Sequence, residues 1–327
     1  MWSGLQVFYR EWPTRKETTV LYERMAVLQS LSSFHPAKSR AYRIVESQSL
    51  LAIETAQDRQ AIVLIKLASW LERRSFRRAD LIVAVSPGVK EGIVDFAGVN
   101  PAKVLVLPNA TTSALATRLA EPGEVVRVGF VGAVVPWHRL ERLIDAIASL
   151  EDHSVELEIV GDGPAIEDLR AHATLRGVAH RVRFAGRLPH SDALDRVATW
   201  SVGYAGHEKT WANSMYHSPL KLYEYAALGL QIVCTTAPDA QMLKRDGVAV
   251  HDFDPDDPAK LEAALLRGIE AARKDTDAER EQRRSIVAAR HTWESRVLEL
   301  FAHVALEVPG LRNSGHGEMT TEASEIR

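Results

Sequence analysis

The sequence predicts an α/β protein built from two doubly wound domains with parallel sheets, and three observations carry that prediction. Short β-branched runs alternate with amphipathic stretches of helical length along both halves of the chain, the pattern that builds parallel sheets. The alternation lapses between Thr111 and Glu124, where small polar residues and Pro122-Gly123 mark a linker. In the second half, Gly132, Gly161, Gly186 and Gly206 close four strands, which puts permissive backbone at the sheet edge where such folds bind ligands.

Residues 1–18 are mixed and give no assignment. Residues 19–23 and 42–46 read as short strands with a helical stretch, 24–33, between them. Residues 48–79 read as one long helix, polar at first, apolar at Ile62-Val63-Leu64-Ile65 and basic at Arg73, Arg74, Arg77 and Arg78. A buried-type strand follows at 80–86, a helix at 87–96, and a strand at 103–107 that closes at Pro108-Asn109. After the linker, 126–132, 155–161, 182–186, 201–205, 231–235 and 247–251 read as strands of a Rossmann-like domain, with helices in the gaps. Charged helices run from Pro258 to Arg290, and Thr292-Trp293-Glu294-Ser295 opens a last helix to about Val308. The predicted division is an N-terminal domain at 1–118, a linker at 119–125, a C-terminal domain at 126–291, a crossover helix at 292–308 and a disordered polar tail at 309–327.

Composition removes several function classes. At 327 residues, 46% hydrophobic and 25% charged, the chain is long enough for two domains, and a net charge of -3 leaves no electrostatic footprint for nucleic acid. The single cysteine, Cys234, rules out an internal disulfide and a multi-cysteine zinc site, and suits a reducing compartment. The N-terminus has no apolar core of signal-peptide length, and no window approaches the ~20 apolar residues of a membrane span, so a cytoplasmic location is expected. The twelve histidines lack metal-ligand spacing, so neither metal nor cofactor is expected, and no G-x-S-x-G elbow supports a hydrolase.

The stretch with the most chemistry is 216–229, YHSPLKLYEYAALG. Ser218 is suited to cap a helix with Pro219 in its first position. The unpaired first-turn amides, the helix dipole and Lys221 in the third position then make a place for a phosphate. Glu224 shares the face of Lys221 and could accept hydrogen bonds from a sugar or ribose diol. A diphosphate beside a diol describes a nucleotide-sugar. The same residues also fit an ordinary helix start with a solvated Lys/Glu pair.

Seven segments together resemble the retaining glycosyltransferases of family four: RADLIVAVSPGVKE (78–91), KVLVLPNA (103–110), VRVGFVGAVVPWHRLERLIDAI (126–147), LEIVGDGPAIEDLRAHA (157–173), RVRFAGRLPHSDAL (181–194), the 216–229 stretch and TWESRV (292–297). The resemblance implies the GT-B architecture, two Rossmann-like domains around a deep cleft, with a sugar donor in the C-terminal one. It implies that Glu224 holds the donor ribose and that Tyr216 takes a donor-sugar contact. Ser218, Pro219 and Leu220 would meet the diphosphate, Gly186 and Arg187 would lie beside the nucleobase, Gly161 and Gly163 would close the nucleotide pocket, and the loop after Gly132 would face the phosphates. Trp293 and its helix would brace the two domains.

Two departures from the family pattern stand out. The usual Arg and Lys are replaced by Ala133 and His138, so Lys221 and a protonated His138 are the candidates to stabilise the leaving diphosphate. The family's glycine-rich first loop and about two βα units have no counterpart, so the N-terminal domain is expected to be incomplete and to leave a strand edge open to self-association. Arg24, at the carboxyl end of its strand, is a candidate to meet an anionic acceptor such as a lipid-linked diphosphate, or else a surface ion pair. The apolar-then-basic run 62–78 suits either a buried helix face or peripheral contact with an anionic membrane. The expected function, as the resemblance implies it, is sugar transfer with retention from a nucleotide-diphosphate sugar to a glycan, lipid-linked or small-molecule acceptor. A non-catalytic donor-binding remnant and a nucleotide-sugar epimerase stay open as alternatives.

Overall fold

The computed structural model describes residues 20–28, 30, 32–34, 42–57, 64–117, 125–208 and 218–307. Tyr216, nearly all of the expected linker and the tail 309–327 lie outside them.

The first sheet is parallel, with β1 (Val20–Arg24), β2 (Tyr42–Ser47), β3 (Leu81–Ala84) and β4 (Val104–Val106) side by side in chain order. Its helices are α1 (Leu51–Gln57), α2 (Ile65–Arg78) and α3 (Pro87–Ala97). Helix α3 follows local rules at both ends. Ser86 accepts from the Val89 amide, Pro87 takes the first position, and Gly98 closes the helix at φ 64°. Two expectations are corrected. The stretch 24–33 holds a single 3-10 turn among its described residues, Ser32–Phe34, rather than a helix. The long helix of 48–79 is two helices, and Glu72 of α2 lies back against the start of α1, where it accepts the Leu51 and Ala52 amides at 2.9 and 3.0 Å and satisfies first-turn donors.

The second sheet contains β5 (Arg127–Val131), β6 (Glu156–Val160), β7 (Val182–Gly186), β8 (Val202–Ala205), β9 (Gln231–Thr235) and β10 (Val250–Phe253), all parallel, in the order β10-β9-β8-β5-β6-β7. Its helices are α4 (Leu140–Ser149), α5 (Ile166–Leu175), α6 (His190–Ala198), α7 (Leu220–Ala227), α8 (Pro238–Arg245), α9 (Pro258–Lys274) and α10 (Asp277–Arg290), and α11 (Trp293–Glu307) ends the described chain. Strand β10 starts three residues later than expected, since Gly247, at φ 98°, forms part of the turn that ends α8.

Apolar layers cover both faces of this sheet. Val128, Phe130, Leu157 and Ile159 pack with Leu143, Ile144, Leu265 and Ile269 on one side. Trp200, Leu222, Tyr223, Tyr225 and Ile232 pack on the other, where Cys234 is also buried. Each such side chain contributes about 1.5–3 kcal/mol by leaving water. Gly129 is required here: a Cβ would sit 2.0 Å from the Trp200 ring, whose Nε1 donates to the buried Glu158 at 2.8 Å.

Helix α11 follows the second sheet in the chain but serves the first. Its Val304 is buried with Ile44, Leu81, Val83 and Leu107. Thr292 bridges Thr111, the Trp293 amide donates to the Thr111 carbonyl at 2.9 Å, and Arg296 Nε donates to the Pro108 carbonyl at 3.1 Å.

Candidate functional site

In the second sheet β5 and β8 are neighbours in space but not in sequence, so chain direction across the sheet reverses between them. Open α/β sheets bind ligands at the carboxyl end of such a switch point. The loop after β5 begins at Gly132 and the loop after β8 at Gly206, and His138 joins the two, its Nδ1 lying 3.1 Å from the Gly206 carbonyl. With that oxygen as acceptor, Nδ1 carries the proton and Nε2 is left to accept.

Facing Nε2 at 3.5 Å is Lys221 Nζ, which lies 4.0 Å from the centre of the Phe130 ring. The ammonium is thus held by an aromatic face and an imidazole lone pair, with Gly132 leaving room beside it: a Cβ there would stand 3.4 Å from Nζ. Burial pushes the Lys221 ammonium down to about 7, with Glu224 opposing that shift. Burial also raises Glu224, against the pull of His190 and Lys221. Among the described residues no ion pair joins Lys221 to Glu224, although one helix face carries both.

The glycine loops interlock. Gly161, at φ 142°, donates its amide to the Gly186 carbonyl at 2.8 Å and lies so close to Gly132 that a Cβ would be 1.9 Å from the Gly132 oxygen. Gly163 is pressed against Val134 in the same way, with 2.3 Å to its carbonyl. Gly132, Gly161, Gly163 and Gly186 therefore form one continuous rim, and Arg187 stands exposed beyond it.

The helix start is a correction. Pro219, not Ser218, occupies the cap position, with extended backbone at φ -71° and ψ 121°, and makes no side-chain cap bond to α7. Leu220 is the first helical residue, so Lys221 is in the second position rather than the third. The Ser218 hydroxyl is engaged elsewhere: it accepts the Asn109 amide at 2.9 Å and donates to Asp239. Arg24 is exposed and lies 3.8 Å from Glu46 in a surface ion pair. Asn109, Asp239 and Phe130 escaped the sequence reading. Phe130 was legible, two residues before Gly132 in a buried strand, whereas the polar pair meets only in the folded chain.

The apolar-then-basic run also resolves. Ile62 and Val63 lie outside the described residues, but Leu64, Ile65, Leu67 and Trp70 are exposed rather than buried, beside Lys66, Arg73, Arg77 and Arg78, while α2 buries Ala68, Glu72, Ser75 and Phe76. Arg74 stacks over Phe34 at 4.5 Å, and Phe34 is itself exposed. Among the described residues no helix is long and apolar enough to cross a membrane, and no cluster of His, Cys, Asp and Glu could hold a metal ion.

Two parallel α/β sheets, the second in switch-point order and the first braced by the final helix, define a protein of the GT-B class, with its candidate site on the second sheet. Comparison with known proteins agrees. Residues 125–271 match the family described as glycosyl transferases group 1, and residues 38–110 match a glycosyl transferase 4-like domain. The chain belongs to the group 1 glycosyltransferase family. It is 30% identical over 193 residues to the lipopolysaccharide core biosynthesis glycosyltransferase LpsE of Rhizobium meliloti, covering 57% of this chain and 53% of that one. It is 27% identical over 201 residues to a phosphatidylinositol N-acetylglucosaminyltransferase polypeptide of Arabidopsis thaliana, covering 59% and 41%. The chain thus spans about half the length of the curated relatives it matches. Among solved structures, WaaG, a glycosyltransferase of lipopolysaccharide biosynthesis, superimposes with a TM-score of 0.65 at 15% identity over 94% of this chain and 82% of that one. Anabaena HepE with UDP and glucose gives 0.63 at 19% identity over 82% and 72%.

Proposed function

We propose that the chain transfers a hexose, with retention, from a nucleoside-diphosphate sugar held on its second sheet to a glycan or lipid-linked acceptor at its first, in cell-envelope polysaccharide synthesis. The observation that carries this reading is the convergence of Lys221 Nζ and His138 Nε2, 3.5 Å apart, behind the glycine rim at the β5/β8 switch point. A leaving diphosphate needs positive charge that is already in place, and a buried ammonium supplies it at little reorganisation cost. On this reading Lys221 stabilises the departing phosphates, His138 orients its ammonium from Nε2 instead of supplying the second charge expected of a protonated imidazole, the first-turn amides of α7 at Leu220 and Lys221 assist, and Glu224 accepts from the ribose hydroxyls. Catalysis is then positional and electrostatic, with no metal assigned. Solved neighbours that carry UDP or UDP-glucose support a nucleotide-sugar as the donor.

Calorimetry with UDP- and GDP-sugars tests donor binding, and release of free nucleoside diphosphate on adding an acceptor extract tests turnover. No binding at millimolar donor rejects the proposal. Binding without turnover favours the non-catalytic donor-binding protein, a reading that Ala133 supports by removing one of the family's usual cations.

The position of Lys221 near neutrality gives the binding a pH dependence. A diphosphate favours the protonated amine, so affinity is present below about pH 7 and falls as pH rises through that value. UDP is expected to bind about tenfold more weakly at pH 8 than at pH 6, with proton uptake visible as a dependence of the calorimetric heat on buffer ionisation. An affinity that is flat between those values removes Lys221 from the phosphate site.

The exposed apolar residues of α2 with their basic neighbours support peripheral contact with an anionic bilayer, which suits a lipid-linked acceptor. Co-sedimentation with vesicles containing phosphatidylglycerol is expected to exceed that with phosphatidylcholine alone, and to fall several-fold in Trp70→Ala. Equal sedimentation with both vesicles counts against this contact.

A further inference from the structure

Asn109 follows β4 at the carboxyl edge of the first sheet, and its side chain belongs to none of the groups assigned above. It is buried, as are Ser218 and Asp239. Three hydrogen bonds leave it. Its backbone amide donates to Ser218 Oγ at 2.9 Å, and its Nδ2 donates to the Ser218 carbonyl at 2.6 Å and to Gln48 Oε1 at 3.1 Å. Gln48 in turn donates from Nε2 to Glu46. On the other side the Ser218 hydroxyl donates to Asp239 Oδ2, which also accepts the Tyr223 hydroxyl at 2.7 Å. The residue before Pro219 and a residue within the first turns of α7 are therefore tied to one buried carboxylate and, through Ser218, to the other sheet.

Each partner has a fixed role in this chain. The Ser218 proton goes to Asp239, so its oxygen accepts from Asn109. Two acceptors face Nδ2, which fixes the orientation of the Asn109 amide. Pro219 itself offers α7 no side-chain cap, and the Ser218-Pro219 step gains its position from these contacts.

We propose that Asn109 is a positioning residue, through which the first sheet holds the Ser218-Pro219 step that launches α7 and so places Lys221 and Glu224. The inference rests on the donor-site reading for its functional consequence, but not for its structural test. Asn109 thereby couples donor binding on the second sheet to docking of the first.

Asn109→Asp is nearly isosteric and turns a donor facing two acceptors into a third acceptor, so it tests the chemistry without opening a cavity. Hydrogen exchange of the ligand-free protein is expected to quicken about tenfold at the amides of residues 220–224, with the central strands of the second sheet unchanged. UDP affinity is expected to fall about tenfold in the same variant. Gln48→Ala removes only the outer partner and is expected to give the same pattern at smaller amplitude, which keeps the test open if Asn109→Asp folds poorly. Unchanged exchange at 220–224 in both variants overturns the inference, and so does a uniform rise across the second sheet, which marks a general loss of stability. If the wild type binds neither UDP nor GDP, the donor-site reading fails, while the exchange data still decide whether Asn109 positions the helix.

Discussion

Lys221→Met is expected to weaken UDP binding by about a hundredfold or more while leaving the melting temperature at pH 6 no lower than that of the wild type. The two effects separate because the ammonium is unfavourable for the fold and favourable for the ligand. Its pKa in the folded chain is lowered to about 7 from an ordinary 10.5, so between those values the unfolded chain binds more protons and stability rises with pH. Below pH 7 the folded chain carries the full cost of burying the charge, and Met, with a similar stem and no charge, relieves it. Its contact with Phe130 is kept as an apolar one. Calorimetric titration with UDP and thermal unfolding at pH 6 measure both quantities. A UDP affinity within threefold of the wild type would remove Lys221 from the site.

Gly161→Ala is expected to lower stability by roughly 3–5 kcal/mol, adding the strain of a side chain at positive φ to that of an overpacked contact. The backbone sits at φ 142°, and the added methyl would approach the Gly132 oxygen to 1.9 Å, a backbone atom that moves only if the ends of β5 and β6 part. Gly98→Ala is the control. It has φ 64° but nothing within 4 Å of its Cβ, so it carries the conformational cost alone, about 1 kcal/mol. Differential scanning calorimetry should show the first variant melting some 10 °C lower and the second only a few degrees lower. Equal shifts would mean that the glycine rim yields without strain.

Local signals found most of what is local. Strands with β-branched runs, the Ser86-Pro87 helix start and the glycines at the ends of β5, β6 and β7 could be read because each obeys a short-range rule. The glycines also fixed the edge of the sheet at which the candidate site lies. Misreadings arose where a distant partner overrode such a rule. Ser218-Pro219 has the letters of a helix cap, yet Asn109 and Asp239 claim the hydroxyl across 109 and 21 residues, and the helix starts one residue later. The start of α1 likewise depends on a distant partner, since Glu72 reaches back from α2 to accept its first amides. Nor does spacing reveal that Lys221 turns to Phe130 and His138 instead of Glu224, because that choice depends on how β5 packs under α7.

The path of α11 sets a limit on how this chain can be divided. A gene cut in the linker would separate Val304 from Ile44, Leu81, Val83 and Leu107, so the upstream fragment would present bare aliphatic surface to solvent and lose the Arg296 clasp on Pro108. A workable upstream half must therefore carry residues 292–307 grafted after its own last strand, which makes the final helix an inseparable part of a lobe encoded nearly two hundred residues earlier.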